Sequence, residues 1–163
     1  MKVVIFIGSK SDFPILKEAL EILKRFDIPF ALELTSAHRS PDRTERLIKD
    51  YEEHGTEIFI AVAGMAAHLA ATVAAHSIRP VIGVPVEGAS LNGLDALLST
   101  VQMPRGIPVA CMGLGKAGAV NAVLLAVQIL SLKDPSLRAK VKEYRQKMAS
   151  QIEMDSKKIV EKL

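Results

Sequence analysis

The side chains best suited to chemistry in this sequence stand together in the segment Ser36-Ala37-His38-Arg39. Histidine is the side chain most easily tuned to move protons near neutral pH, and arginine presents a fork of donors that fits a phosphate. The apolar run before the segment, 30–34, reads as a strand, and a helical pattern begins near Pro41. Because ligands of open α/β sheets bind where strands end, the segment is a candidate acid/base group beside a phosphate site. Taken alone, it is explained more simply by a capping serine, a structural histidine and a solvated arginine.

A second polar motif, Gly8-Ser9-Lys10-Ser11-Asp12, follows the first apolar run, 3–7. It offers a flexible backbone and two hydroxyls at the start of a predicted helix, where free N–H groups and the helix dipole favour an anion. The hydroxyls complement phosphate oxygens, whereas the Asp12 carboxylate repels them and suits a ribose diol. The simpler alternative is that Ser11 or Asp12 only caps the helix.

A third motif, Ala63-Gly64-Met65-Ala66-Ala67-His68-Leu69, follows the run predicted as strand three. Gly64 and its small neighbours let a ligand approach the backbone closely, and we expect free N–H groups at a helix start there to hold a carboxylate. His68 either contacts this ligand or packs within the first turns of its helix. The three motifs together carry the argument, because each one alone is weak.

Apolar runs and helical patterns alternate along the chain, which is typical of a parallel sheet covered by helices. Strands are predicted over 3–7, 30–34, 57–62, 80–84 and 108–112. Helices are predicted after Asp12, over 41–54, 64–76, 91–101 and 115–132, and from 135 onward. We therefore expect a three-layer, flavodoxin-like, doubly wound α/β fold with strand order 2-1-3-4-5, as a single domain over 1–163 with a C-terminal helical extension over 132–163. This order places the ends of strands two, one and three side by side.

Composition narrows the class of protein. With 163 residues, of which 49% are hydrophobic, the chain can bury one core and is not of the disordered type. Its one cysteine, Cys111, fits a reducing compartment, and no apolar segment reaches the length of a membrane span. The basic excess lies among mixed charges of the last predicted helix, which indicates a solvated face rather than a nucleic-acid surface. Four scattered histidines show no metal-site spacing, so we expect a cytoplasmic protein that binds neither nucleic acid, membrane nor metal.

The segment 113–132 has two further features. The predicted helix 115–132 carries Lys116 as its one charged residue, and a helix that is apolar nearly all round needs cover on more than one side. We therefore expect burial between subunits, the alternative being an ordinary core helix of a monomer. The run Gly113-Leu114-Gly115-Lys116-Ala117-Gly118 matches the glycine pattern of dinucleotide-binding loops, but it follows strand five rather than the first strand. It indicates a tight turn with close packing.

Taken together, five motifs resemble the N5-carboxyaminoimidazole ribonucleotide mutases, the class I form of the purine-pathway phosphoribosylaminoimidazole carboxylases. They are Gly8-Ser9-Lys10-Ser11-Asp12, Ser36-Ala37-His38-Arg39, Ala66-Ala67-His68-Leu69, Gly83-Val84-Pro85-Val86 and Val101-Gln102-Met103-Pro104. The similarity runs to about Leu132. It implies a flavodoxin-like homo-octamer that moves a carboxylate from the exocyclic nitrogen of an aminoimidazole ribonucleotide to ring carbon 4. It also implies that the reaction needs no metal, ATP, biotin or other cofactor.

The resemblance further implies a role for each matching residue. His38 would be the proton carrier, giving a proton to the nitrogen as CO2 leaves and later removing the extra proton from carbon 4. The phosphate would be held by Ser9, Ser36 and Arg39, and the ribose by Asp12. The base and carboxylate would be lined by Gly64, Ala66, Ala67, His68 and Leu69. Ser11 and Ala37 complete the implied substrate-binding set.

The sequence departs from the family pattern at Met65, where glycine is usual, and at Ala70-Ala71, where Pro-Gly is usual. The class II relatives, which carboxylate aminoimidazole ribonucleotide directly with CO2, also have a bulky residue near Met65 but typically have lysine at Arg39. Arg39 and His68 therefore favour class I, and direct carboxylation is the alternative. A flavin carrier is a more distant alternative, because 5 Phe, 2 Tyr and no Trp leave few aromatic rings to sandwich a flavin. A phosphoacceptor receiver module would need an aspartate at the end of strand three.

Overall fold

Residues 1–161, which the computed structural model describes, form two compact units, Met1–Ala126 and a second that begins at Val127. The strands are β1 (Val3–Ile7), β2 (Phe30–Leu34), β3 (Ile58–Gly64), β4 (Val81–Val86) and β5 (Ala110–Cys111). The α-helices are α1 (Lys17–Arg25), α2 (Pro41–Glu53), α3 (Leu69–His76), α4 (Leu94–Val101), α5 (Gly115–Ser131) and α6 (Pro135–Val160). Two 3₁₀ segments cover Lys10–Leu16 and Ala89–Leu91.

The first unit is built on one parallel sheet with the strand order β2-β1-β3-β4-β5. The predicted flavodoxin-like α/β fold is therefore confirmed, together with its additional C-terminal helix. β1 lies between β2 and β3, so that Ile7 is opposite both Leu34 and Val62. Every residue of β1 is buried, as a continuous aliphatic run predicts for a strand covered on both faces. Because parallel strands all end at one edge, the loops after β1, β2 and β3 meet there.

Helices α2 and α3 are fixed to the sheet by a shared apolar cluster. Phe6 of β1 and Phe59 of β3 stack with their ring centroids 5.7 Å apart. Ile48 of α2 and Val73 of α3 pack in the same cluster and are fully buried. The packing of these two helices therefore also fixes the loops that precede them, and those loops carry two of the three polar motifs.

The glycine run 113–118 forms the close-packed turn that the sequence indicates. Gly115 has a φ of +64° at the start of α5, and a Cβ atom on Gly118 would lie 1.7 Å from the carbonyl oxygen of Gly113. Neither position tolerates a larger side chain in this conformation. Along α5, Ala119 and Ala122 are buried and Asn121 is exposed. Burial of this helix between subunits stays a prediction.

Several element boundaries differ from the expectation, among them those of strand five and of the third helix. Strand five was expected over 108–112, but β5 pairs with β4 only at Ala110 and Cys111. The helix expected over 64–76 begins at Leu69, because β3 continues through Gly64 and Met65 then takes a left-handed φ of 55°. Met65 in this conformation interrupts the right-handed pattern, and residues 65–68 form a loop before the helix.

The second unit contains the last residues of α5 and all of α6. Asp134 caps α6 by accepting hydrogen bonds from the backbone N–H groups of Ser136 (2.9 Å) and Leu137 (3.1 Å). Arg138 donates to the carbonyl of Leu132 at 3.2 Å, and Lys147 pairs with Glu143 one turn earlier. The expectation of a single domain over 1–163 stays a prediction. No helix within residues 1–161 combines the length and apolarity that a membrane crossing requires.

Candidate active site

A cavity of about 610 Å³ lies where the loops after β1, β2, β3 and β4 meet. Eleven of the twelve residues that the sequence analysis assigned to the site line it. They are Ser9, Ser11, Asp12, Ser36, Ala37, His38, Arg39, Gly64, Ala66, His68 and Leu69. Three segments that are far apart in the sequence therefore converge on one space, at the switch point of the sheet between β1 and β3.

The loop after β1 arranges two hydroxyls and one carboxylate. Ser9 is the N-cap of the 3₁₀ segment and accepts a hydrogen bond from the Ser11 backbone N–H, so the expectation that Ser11 or Asp12 caps this helix was wrong. The Ser11 hydroxyl lies 2.8 Å from the Ser9 Oγ and 3.3 Å from the Asp12 Oδ1. Asp12 is only 6% exposed. Its burial raises the pKa of the carboxyl above the usual value, against the opposing effect of the hydrogen bonds from Ser11 and from the backbone.

The loop after β2 is tied to the loop after β1 by Arg39. Its Nη2 donates to the carbonyl oxygen of Gly8 at 3.2 Å. Its backbone N–H and its Nε approach the Ser36 hydroxyl at 3.2 and 3.5 Å. Ser36 is therefore not the cap of α2, whose N-cap residue is Ser40. Arg39 spans the two loops, and its guanidinium brings the fixed positive charge to this side of the cavity.

Two histidines from different loops meet in the cavity. The Nε2 of His38 lies 2.7 Å from the Nδ1 of His68, and the two rings stand nearly perpendicular, with their centroids 4.9 Å apart. One of these nitrogens must carry the hydrogen and the other must accept it, so the bond is lost if both rings become fully protonated. In this bond one ring donates a hydrogen and the other ring accepts it. That is the arrangement an acid/base group needs if it is to give and take one proton.

The loop after β3 presents backbone and small side chains to the cavity. A Cβ atom on Gly64 would lie 3.3 Å from the carbonyl oxygen of Val86 in β4, which leaves little room for a side chain there. Met65 in its left-handed conformation is followed by two tight hydrogen bonds, from Ala67 N–H to the Met65 carbonyl (2.9 Å) and from His68 N–H to the Ala66 carbonyl (2.7 Å). Gly64 therefore lies at a strand end rather than at a helix start.

Ala67 is the one predicted site residue that does not line the cavity. It is 2% exposed, because the turn at Met65 directs it toward the interior. Its neighbours Ala66 and His68 do line the cavity. Ala67 acts on the site by shaping this loop, and the expected direct contact with a ligand stays without support.

The sequence analysis missed Glu87 and Gly88, which line the cavity from the loop after β4. It had expected strand four to end at Val84, whereas β4 continues to Val86 and ends opposite Gly64. The extension brings Glu87 to the same edge as the three motifs. The available signal was Glu87 itself, a charged residue directly after a buried aliphatic run.

The cavity lining also bears on the alternatives. None of the described residues that line the cavity is a phenylalanine or tyrosine, so nothing there could sandwich a flavin ring. Within residues 1–161, no group of three or more histidine, cysteine, aspartate or glutamate side chains is placed to hold a metal ion. The ionisable groups in the cavity are two carboxylates, one guanidinium and the histidine pair.

Fold and cavity together define a flavodoxin-like α/β protein whose cavity, at the switch point of its sheet, contains a guanidinium and a pair of hydrogen-bonded histidines. The family model described as AIR carboxylase matches residues 2–151. The chain therefore belongs to the AIR carboxylase family.

Curated relatives from different organisms bear the same name. A Pyrococcus abyssi protein named N5-carboxyaminoimidazole ribonucleotide mutase is 50% identical over 90% of this chain and 83% of its own length. An Escherichia coli protein of the same name is 45% identical over 93% of this chain and 89% of its own. The crystal structure of Treponema denticola PurE superposes with a TM-score of 0.86, at 31% identity and with 96% of each chain covered.

The raised pKa of Asp12 predicts how stability depends on pH. The folded state holds this proton more tightly than the unfolded chain, so ionisation of Asp12 destabilises the fold as the pH rises through the folded pKa. We expect Asp12→Asn to gain stability relative to the wild type between pH 4 and pH 7, as measured by urea denaturation at several pH values.

Asp42→Asn serves as the control, because Asp42 is exposed in the first turn of α2. This variant removes an exposed carboxylate outside the cavity, so it should not reproduce the gain in stability that is expected of Asp12→Asn. An Asp12→Asn variant that loses stability as the pH rises would contradict the assignment.

Proposed function

We propose that this protein converts N5-carboxyaminoimidazole ribonucleotide into 4-carboxy-5-aminoimidazole ribonucleotide, a step of purine biosynthesis. The observation that carries the proposal is the convergence of the three motifs on one cavity that holds a histidine pair next to Arg39. Relatives at 45–50% identity over most of the chain bear the name of this mutase, and the family model points the same way.

The phosphate of the substrate would bind on the side of the cavity formed by the loops after β1 and β2. The hydroxyls of Ser9 and Ser36 and the guanidinium of Arg39 supply donors there, and Arg39 already spans the two loops. Charge-assisted hydrogen bonds of this kind are the strong ones. The ribose hydroxyls would then reach Asp12, a buried acceptor beside them.

The base would lie against the loop after β3, beside the histidine pair. Gly64 and Ala66 give this part of the wall little bulk, although Met65 of the same loop also lines the cavity. The small residues let the flat imidazole ring lie close to the backbone. Ala66 and Leu69 also make the wall apolar. An apolar wall that excludes water retains CO2 between its release and its recapture.

His38 would act first as an acid and then as a base. As the carbamate loses CO2, the departing nitrogen takes a proton from the His38 imidazolium. Carbon 4 then attacks the retained CO2 and becomes tetrahedral, and neutral His38 removes the proton from that carbon. The proton count closes, because the ring that gave one proton regains one. His68, hydrogen-bonded to His38, would hold the ring in place through both steps.

Direct carboxylation of aminoimidazole ribonucleotide is the second candidate, and Met65 is the observation that favours it. Offering both ribonucleotides to the purified protein separates the two. We expect turnover of the N5-carboxylated ribonucleotide without added bicarbonate. Turnover of only the uncarboxylated ribonucleotide, in excess CO2, would contradict the mutase and establish direct carboxylation.

Replacing His38 tests the proton carrier. General acid–base groups contribute roughly 10²- to 10⁴-fold to the rate, so we expect His38→Asn to lower kcat by at least about 100-fold while ligand affinity changes little. Stopped assays give the rate and calorimetry gives the affinity. His54→Asn is the control, because His54 is exposed and bonds the carbonyl of Asp50 in its own helix. Near-normal kcat in His38→Asn would refute the role.

We further propose that the protein acts as a homo-octamer, as the resemblance implies, and that it is cytoplasmic. Helix α4 exposes Leu94, Leu98 and Val101, each about half accessible, along one stripe. A groove of about 420 Å³ beside them is lined by Leu98, Met103 and other residues of the segment 102–107, and by His68 of the candidate active site. An apolar stripe of this kind indicates a surface covered by another copy of the chain.

Light scattering tests the assembly. We expect a particle of eight 17.6-kDa chains, and we expect Leu98→Lys to shift it to smaller species, because a charge within an apolar interface is costly. Ile78→Lys is the control, since Ile78 is 93% exposed and lies outside the stripe. A monomeric wild-type protein would contradict the proposal.

A further inference from the structure

Glu87 is the one charged side chain that the loop after β4 brings to the cavity. It follows Val86, the last residue of β4, which lies opposite Gly64 of β3. Glu87 therefore borders the wall against which the base is proposed to lie. Neither the three motifs nor the roles implied by the family resemblance include this residue.

The other ionisable groups of the cavity already have partners within the chain. Asp12 accepts from Ser11, Arg39 donates to the Gly8 carbonyl, and His38 and His68 bind each other. Among residues 1–161, no hydrogen bond or ion pair engages the Glu87 carboxylate, and its side chain is exposed. The Glu87 carboxylate is therefore free to accept a hydrogen bond from a ligand.

The charged side chains Arg39 and Glu87 lie on opposite sides of β3. Arg39 lies after β2 and contacts the loop after β1, whereas Glu87 lies after β4, on the other side of β3. Neighbouring strands are about 4.8 Å apart, so the ends of β1 and β4 are separated by roughly 10 Å. The cavity therefore has Arg39, together with Asp12 of the loop after β1, at one end and the Glu87 carboxylate at the other. An elongated ligand must place its phosphate at the first end and its hydrogen-bond donors at the second.

We propose that Glu87 recognises the base by accepting a hydrogen bond from its exocyclic amino group. This inference rests on the proposed function, in which the ribonucleotide carries an amino group at ring carbon 5 and a carboxylate at carbon 4 after the transfer. Glu87 attracts the amino edge of the base and repels the carboxylate. It therefore turns the carboxylate toward the loop formed by Gly64 and Ala66, and it fixes which edge of the ring faces His38.

The Glu87 carboxylate lies close to the start of α5. Its Oε1 lies 3.9 Å from the position that a Cβ atom on Gly115 would take, next to the first residue of this helix. The positive end of the helix dipole favours a carboxylate there. A purely structural role for Glu87 at α5 would affect stability alone, whereas recognition of the base affects the preference for ligands that carry the amino group.

The test is a comparison of two ligands by calorimetry. The first is 4-carboxy-5-aminoimidazole ribonucleotide, and the second is the same ribonucleotide without the 5-amino group. We expect Glu87→Ala to reduce the preference for the aminated ligand roughly 10- to 100-fold, the effect of losing one hydrogen bond to a charged group. We expect Glu87→Gln to reduce it less, because a neutral amide oxygen still accepts a hydrogen bond.

Glu53→Ala removes the same charge from an exposed position at the end of α2, outside the cavity, and should leave the preference unchanged. An unchanged preference in both Glu87→Ala and Glu87→Gln would overturn the inference while wild-type turnover remained intact. A wild-type protein that neither turns over N5-carboxyaminoimidazole ribonucleotide nor binds the product would overturn the proposed function and this inference together. If Glu87→Ala fails to fold, the isosteric Glu87→Gln gives the same readout.

Discussion

The parallel pairing of β1 with both β2 and β3 is the constraint on which the site depends. Ile7, the last residue of β1, lies opposite Leu34, the last residue of β2, and opposite Val62, two residues before the end of β3. The pairing of the strands therefore brings together the loops that follow them. The residues of β1 are buried in the sheet, and the hydrophobic effect that holds this core together also sets the distance between the side chains of the candidate site.

Within that frame, two contacts link the loops. Arg39 reaches across to the carbonyl of Gly8, and His38 bonds His68. Each contact joins a side chain of the loop after β2 to a different neighbouring loop. The loop after β2 is thus the centre of the candidate site, with Arg39 reaching toward β1 and His38 reaching toward β3. Glu87, in the loop after β4, adds a carboxylate to the cavity on the other side of β3.

Periodicity and strand ends were enough to predict the fold and its strand order, because buried strands and amphipathic helices follow from local patterns. The eleven predicted residues that line the cavity came from the strand-end motifs together with the family resemblance. Two features that the sequence did not predict, the late start of α3 and the burial of Ala67, depend on one backbone angle. The left-handed φ of Met65 delays α3 to Leu69 and turns Ala67 inward. Methionine rarely adopts that conformation, so no local rule predicts it. Glu87 was missed because β4 runs two residues further than its pattern indicated.

The central claim is that one ribonucleotide lies across all of these loops at once, and a crystal structure of the complex with the product tests it most directly. The account predicts the phosphate at Ser36 and Arg39, the ribose at Asp12 and the ring within hydrogen-bonding reach of His38. A product bound in the reverse orientation, or outside the cavity, would contradict the account.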